Sequence, residues 1–108
     1  YIFAHTTSRI DVELGARFLQ VMQQGGSADR LVQTFTTTGT HSYISDATYP
    51  TLMTALLQWV DQGRKPTPAN IASACPANEA QFGAGCTFAP NYTPPTLETR
   101  VPARARPQ

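Results

Sequence analysis

Two residues in this chain have side chains and surroundings suited to proton transfer at neutral pH. His41 sits in the polar stretch Thr38 to Thr48, directly after Gly39-Thr40, and Asp11 sits in the charged cluster Arg9, Asp11, Glu13. An imidazole titrates close to neutrality, so it can take a proton from a hydroxyl nucleophile and return it to a leaving group. A carboxylate behind it fixes the tautomer and stabilises the imidazolium. The attacking hydroxyl is missing from the pattern. A nucleophile elbow needs Gly-x-Ser-x-Gly on a tight strand-to-helix turn, and no such pentapeptide occurs, since Gly26-Ser27 lacks the second spaced glycine. These residues therefore offer a general base and one candidate acid to orient it.

The elements needed to carry the pair can be read from periodicity. Tyr1 to His5 is an aromatic and aliphatic run followed by Thr6-Thr7-Ser8, which predicts a buried strand ending in a loop. From Val12 to Gln24, Leu14, Phe18 and Met22 recur every four positions opposite Arg17, Gln20 and Gln24, an amphipathic helix stopped by Gly25-Gly26. Leu31 to Thr37 is rich in Thr, Val and Phe and predicts a second strand. With one helix between them, the two strands are expected to be parallel neighbours or near-neighbours. A last helix is expected from Pro50 to Gly63, with Leu52, Met53, Leu56, Leu57, Trp59 and Val60 as its apolar stripe, Asp46 as its N-terminal cap, and Arg64 and Lys65 at its negative end. In a parallel α/β sheet, functional loops gather at the carboxyl ends of the strands. The loops holding Asp11 and His41 both belong there.

Composition narrows the partners. Of the 108 residues, eight are basic and seven acidic, giving a net charge of +1, and they are scattered, so there is no footprint for nucleic acid. No apolar run reaches the roughly 18 residues of a membrane span, so no membrane partner is expected. The run Tyr1-Ile2-Phe3-Ala4 starts without a leader, which reads as a cut from a longer polypeptide. All the prolines except Pro50 lie from Pro66 onward, where aliphatic content is low and periodicity is lost, so residues 67–108 are expected to be an extended, polyproline-like tail with no core of its own. Cys75 and Cys86, the two cysteines, fall in that stretch. Two cysteines without further ligands suit a disulfide better than zinc and imply an oxidising compartment, secreted or periplasmic.

Several residues have plainer readings. His5, at a strand end, reads as a structural histidine, and Trp59 and Met53 as core. Asp11 can serve equally as an acid complementing the helix dipole. Tyr43 either lines a substrate cleft or caps the sheet edge, and Asn91-Tyr92-Thr93 is a glycosylation sequon wherever the source modifies secreted proteins.

The block from His5-Thr6-Thr7 through Gly39-Thr40-His41 to Trp59-Val60-Asp61-Gln62-Gly63-Arg64-Lys65-Pro66 resembles the C-terminal third of bacterial α/β-hydrolases. It is similar to esterases related to tannase and feruloyl esterase and to exported polyester or oligoester hydrolases. The segment from Cys86-Thr87-Phe88-Ala89-Pro90 to Val101 looks like a tail carried by some of them. The resemblance implies an α/β fold: residues 1–66 as the C-terminal β-α-β-α portion of a parallel hydrolase sheet, followed by the Pro-rich tail 67–108. It implies a serine hydrolase of carboxylic esters, using no metal or organic cofactor, with His41 as the base. Small-molecule or polymeric esters would be the substrates, and the N-terminal remainder of the same hydrolase the partner. Relatives carry Gly-Asp directly after the first strand, where this chain has Ser8-Arg9 and reaches Asp11 two residues later. Asp11 is then the nearest candidate acid, with an acid from another strand, or a non-catalytic binding or structural module that has lost its acid, as the alternatives.

Overall fold

A computed structural model describes residues 1–6, 9–39, 43–96, 99 and 104–105; the side chains of residue 6 and residues 9–13 are outside that description. Strand β1 (Ile2–Thr6), helix α1 (Arg9–Gln24), a 3-10 turn (Ala28–Arg30), strand β2 (Val32–Thr36), and helices α2 (Thr48–Gln62) and α3 (Pro68–Phe82) follow in that order. The fold is mixed α/β. β1 and β2 form a two-stranded parallel sheet in the register Ile2↔Val32 through Thr6↔Thr36.

Strand alternation gives the sheet two unlike faces. Phe3, His5, Gln33 and Phe35 share the one under α1, where the Phe18 and Phe3 rings are 4.7 Å apart and Gln33 Nε2 donates to Gly15 O at 2.8 Å. Val32, Thr34 and Thr36 point the other way and are buried, with α3 packed on β2. The hydroxyls of Thr34 and Thr36 make no hydrogen bond among the described residues.

Two helices are rotated from their expected faces. In α1, Leu14 is 64 % exposed whereas Gly15 is buried, because the helix comes close enough that a Cβ at Gly15 would meet the His5 ring at 3.4 Å. A glycine adds nothing to an apolar count, so the stripe looked centred on Leu14. In α2, the buried positions are Thr48 and Thr51, and Met53 is exposed, not core as expected. The neighbour across that face is α3, so small side chains go inward. Trp59 is half-buried, and the Lys65 ammonium lies 5.6 Å from its ring centre. Lys65 donates to Asp29 O at 2.7 Å, so it bridges to the 3-10 turn rather than closing its own helix. That end is closed by Gly63 at φ 68°, with Gly63 N–H donating to Trp59 O and Arg64 N–H to Gln58 O.

The expectation of an extended tail fails at its start, because Pro68–Phe82 is a helix. Thr67 Oγ1 accepts from Asn70 N at 3.1 Å while Asn70 Oδ1 accepts from Thr67 N, a reciprocal cap, and Pro68 takes the first-turn position where its missing N–H costs nothing. Pro76 lies inside this helix, at a position that would ordinarily cost about 3 kcal/mol. Buried Ile71 and Cys75 hold it against the sheet layer, and the Cys75–Cys86 disulfide closes over it. Replacing Thr67 by alanine is expected to lower stability by about 1 kcal/mol. A urea titration reads this directly, and Thr67→Ser should behave as wild type.

Beyond α3 the chain returns to the sheet. Thr37 N donates to Thr87 O at 2.9 Å and Ala89 N donates to Phe35 O at 2.7 Å, bracketing an antiparallel bridge between Thr36 and Phe88. The Tyr92 ring then meets Phe35 edge-on at 5.0 Å. Part of the expected tail thus closes the outer edge of β2.

Candidate active site

Because β1 and β2 are parallel and Thr6 lies opposite Thr36, the chain leaves both strands at one edge. Helix α1 begins at Arg9, three residues after Thr6. Arg9 and Asp11, expected on a loop before a helix starting at Val12, are therefore helical, and Asp11 lies in the first turn. There a carboxylate faces amides without intrahelical partners. The Asp11 side chain and all of His41 lie outside the described residues. What the structure brings to a common rim is the start of α1, with Asp11 in its backbone, and the exit of β2 towards His41.

The two flanks of the His41 segment are well defined. On the β2 side, Thr38 Oγ1 and Thr87 Oγ1 are hydrogen-bonded. On the α2 side, Ser45 is buried, and its Oγ accepts from Thr48 N at 3.2 Å and pairs with Thr48 Oγ1 at 2.7 Å. The N-cap position of α2 is Ala47, which has no side-chain cap, so the first helical amide, Thr48 N, is taken by Ser45 and not by Asp46. Asp46 instead accepts from Tyr43 OH at 2.6 Å. This hydrogen bond, with slight desolvation and the adjacent carboxylate charge adding to it, pushes the Tyr43 phenol above its ordinary pKa. Tyr43 is exposed, its ring 6.1 Å from Tyr49.

His5 lies on the α1 side of the sheet, with its ring 5.3 Å from Phe35 and its Nε2 3.3 Å from Gln33 Nε2. The amide nitrogen can only donate, so in that contact His5 Nε2 accepts. This is a packed histidine within the aromatic layer.

No sequence signal singled out Gly85 or Glu79, yet both belong to this region. Gly85 has φ 150° and passes so close to Ser45 that a Cβ on it would lie 2.5 Å from Ser45 Cβ. Glu79 Oε2 accepts from Gly85 N at 2.8 Å and from Cys86 N at 3.2 Å, which holds its carboxyl below the usual range. A lowered folded-state pKa adds stability that is present above the unfolded value and lost as pH falls through the folded one. Wild type should therefore lose stability more steeply than Glu79→Gln on acidification below about pH 4.3. Denaturation midpoints of both forms across that range check the sign, and parallel curves would contradict it.

The described residues form recesses on two sides of the molecule. A cleft of about 480 Å3 between α2 and α3 is lined by Thr51, Gln58, Arg64, Asn70 and Asn78. A groove of about 350 Å3 runs between α1 and Pro94-Pro95. Neither is lined by the strand exits among the described residues. No group of three His, Cys, Asp or Glu side chains among them could hold a metal, and no described helix is long and apolar enough to cross a membrane. The Cys75–Cys86 disulfide expected from the sequence is present, with Cα atoms 6.0 Å apart. No protein-family model, curated protein or solved structure matches the chain.

Proposed function

We propose that this chain is the C-terminal part of a serine hydrolase acting on carboxylic esters, and that it supplies the catalytic histidine, His41. The observation that carries this reading is the parallel, in-register pairing of β1 and β2, which turns the approach to His41 and the start of α1 towards one rim. At such a rim His41 takes the proton of a serine hydroxyl as that oxygen attacks the ester carbonyl, then passes it to the departing alkoxide. In the second half it takes a proton from water and returns it to the serine. Asp11 orients the imidazole. The serine and the oxyanion-hole amides come from the N-terminal remainder of the same hydrolase, because those donors flank the nucleophile and an earlier strand.

The open edge of β1 is the natural place for that remainder to join. Among the described residues β1 pairs only with β2, and parallel sheets are otherwise built from more strands with both faces covered. Tyr1 and Phe3, at the start of this strand, are exposed. The disulfide suits a secreted or periplasmic enzyme.

One observation favours a second reading, a non-catalytic hydrolase-like binding or structural module. Asp11 is already helical, and Arg9 stands where the hydrolases that the sequence resembles commonly carry the acid. Aryl-ester turnover by the complete protein separates the two. Hydrolysis that is stoichiometrically abolished by a serine-directed fluorophosphonate is expected. Absence of turnover, or turnover insensitive to the phosphonate, overturns the hydrolase reading.

A further inference from the structure

We infer that the cleft between α2 and α3 is a binding site for a small linear hydroxycarboxylate, with the carboxylate at the end beside the connecting turn and the hydroxyl at the other. α2 ends at Gln62 and α3 begins at Pro68, while Asn78, late in α3, reaches Thr51, early in α2. The helices therefore run antiparallel. On α2 the cleft takes Thr51, Ala55 and Gln58, and on α3 it takes Asn70, Ala74 and Asn78, in each case residues three or four apart that share one helix face. Antiparallel pairing sets Ala55 opposite Ala74 at the centre. Two methyl groups fill little of the space between the helices, and the cleft holds about 480 Å3, a volume typical of small-molecule sites.

The polar groups around this gap are held in place and still have bonding capacity left. Asn70 Oδ1 accepts from Thr67 N and from Thr67 Oγ1 at 2.8 Å, which leaves its amide hydrogens uncommitted among the described residues. Asn78 is the reverse. Its Nδ2 donates to Thr51 Oγ1 at 2.8 Å and to Ala74 O at 3.5 Å, which leaves Oδ1 as an acceptor. Buried Thr51 in turn donates to Ala47 O, so the Asn78 amide has a fixed anchor.

The two ends differ in charge. Arg64 and Lys65 line the end beside the turn, and no Asp or Glu is among the lining residues. Lys65 is committed to Asp29 O, whereas the Arg64 side chain makes no hydrogen bond or ion pair among the described residues. That end thus offers a cation and the Asn70 donors, which suit a carboxylate. The Asn78 end offers an acceptor and no cation, which suits a hydroxyl and disfavours a second carboxylate. Eight residues of α3 separate Asn70 from Asn78, a rise of about 12 Å. An extended six-carbon chain with a hydrogen bond at each end spans that length, and its methylenes would lie over the two alanines.

The test is a ligand-detected NMR titration of the complete protein with hydroxyhexanoate bearing its hydroxyl on the terminal carbon. It is independent of ester turnover. Saturable binding is expected, with Kd in roughly the millimolar range or tighter for so small a ligand. Arg64→Gln is expected to weaken it at least fivefold, and Ala74→Leu, which fills the gap opposite Ala55, at least tenfold. Both positions are exposed, so both variants should keep the fold, as far-UV circular dichroism would verify. If Ala74→Leu does not fold, Arg64→Gln decides. Hexanoate should bind several-fold more weakly, and aminohexanol should not bind. No saturable binding to wild type overturns the site, as does wild-type affinity in the folded variants. Equal binding of aminohexanol overturns the carboxylate contact, and equal binding of hexanoate overturns the hydroxyl contact.

Discussion

Replacing His41 by alanine is expected to lower kcat for ester hydrolysis by about 10³- to 10⁴-fold while leaving KM within a few-fold of wild type. A positioned general base contributes roughly 10²- to 10⁴-fold, and loss of one member of a serine triad lies at the upper end because the serine then attacks as a neutral hydroxyl. The oxyanion hole and the substrate pocket, both outside this segment, would remain, so binding should survive. The change therefore belongs in kcat, and a variant that raised KM alone would place His41 in substrate binding instead. Asp11→Asn separates the two readings of that residue. A carboxylate that orients His41 is expected to share most of the loss. One that only complements the first turn of α1 should leave kcat alone and cost a few tenths of a kcal/mol in stability.

The largest stability effect is expected at Phe35. Its side chain is 4 % exposed, lies 5.3 Å from the His5 ring and 5.0 Å from the Tyr92 ring, and its backbone oxygen accepts from Ala89. Phe35 thus joins the strand pair to the returning tail from one position. Truncating a buried phenylalanine to alanine costs about 3–5 kcal/mol, because the lost transfer energy is compounded by the cavity left behind. Against a total stability of roughly 5–15 kcal/mol, such a loss would leave the domain marginal or unfolded. Urea denaturation of Phe35→Ala measures it. A loss below about 1 kcal/mol would mean that the tail and the sheet are not packed through this ring.

Most of the strand and helix order was legible before the structure, for identifiable reasons. β-Branched and aromatic runs marked β1 and β2, and Gly63 supplied a left-handed stop for α2. Helix α3 was illegible because its buried face consists of Ile71 and Cys75, with prolines at positions 68 and 76 that read as breakers. Its reciprocal Thr67–Asn70 cap uses asparagine in place of the glutamate or glutamine that marks such boxes in sequence. Small residues misled in the same way elsewhere. Gly15 turned α1 away from Leu14, and Ser45 rather than Asp46 takes the first amide of α2. For the site, residue type pointed to His41 and Asp11; the structure shows that β1 and β2 end at one edge, and the Asp11 side chain and His41 lie outside the described residues. What sequence could not reveal was the return of residues 85–89 to the sheet, because the contacts of Gly85 and Thr87 with Ser45, Thr37 and Thr38 join positions about 40–50 residues apart and follow no periodicity.

The pH dependence of kcat/KM in the complete protein tests the role of His41 most directly. A general base must be neutral to accept the serine proton, so activity should be present above the imidazole pKa and lost as pH falls through it. An acid limb is expected in wild type, and a flat profile over the same range in His41→Ala. The same limb persisting in His41→Ala would assign the titrating base to another residue and contradict the role proposed for this segment.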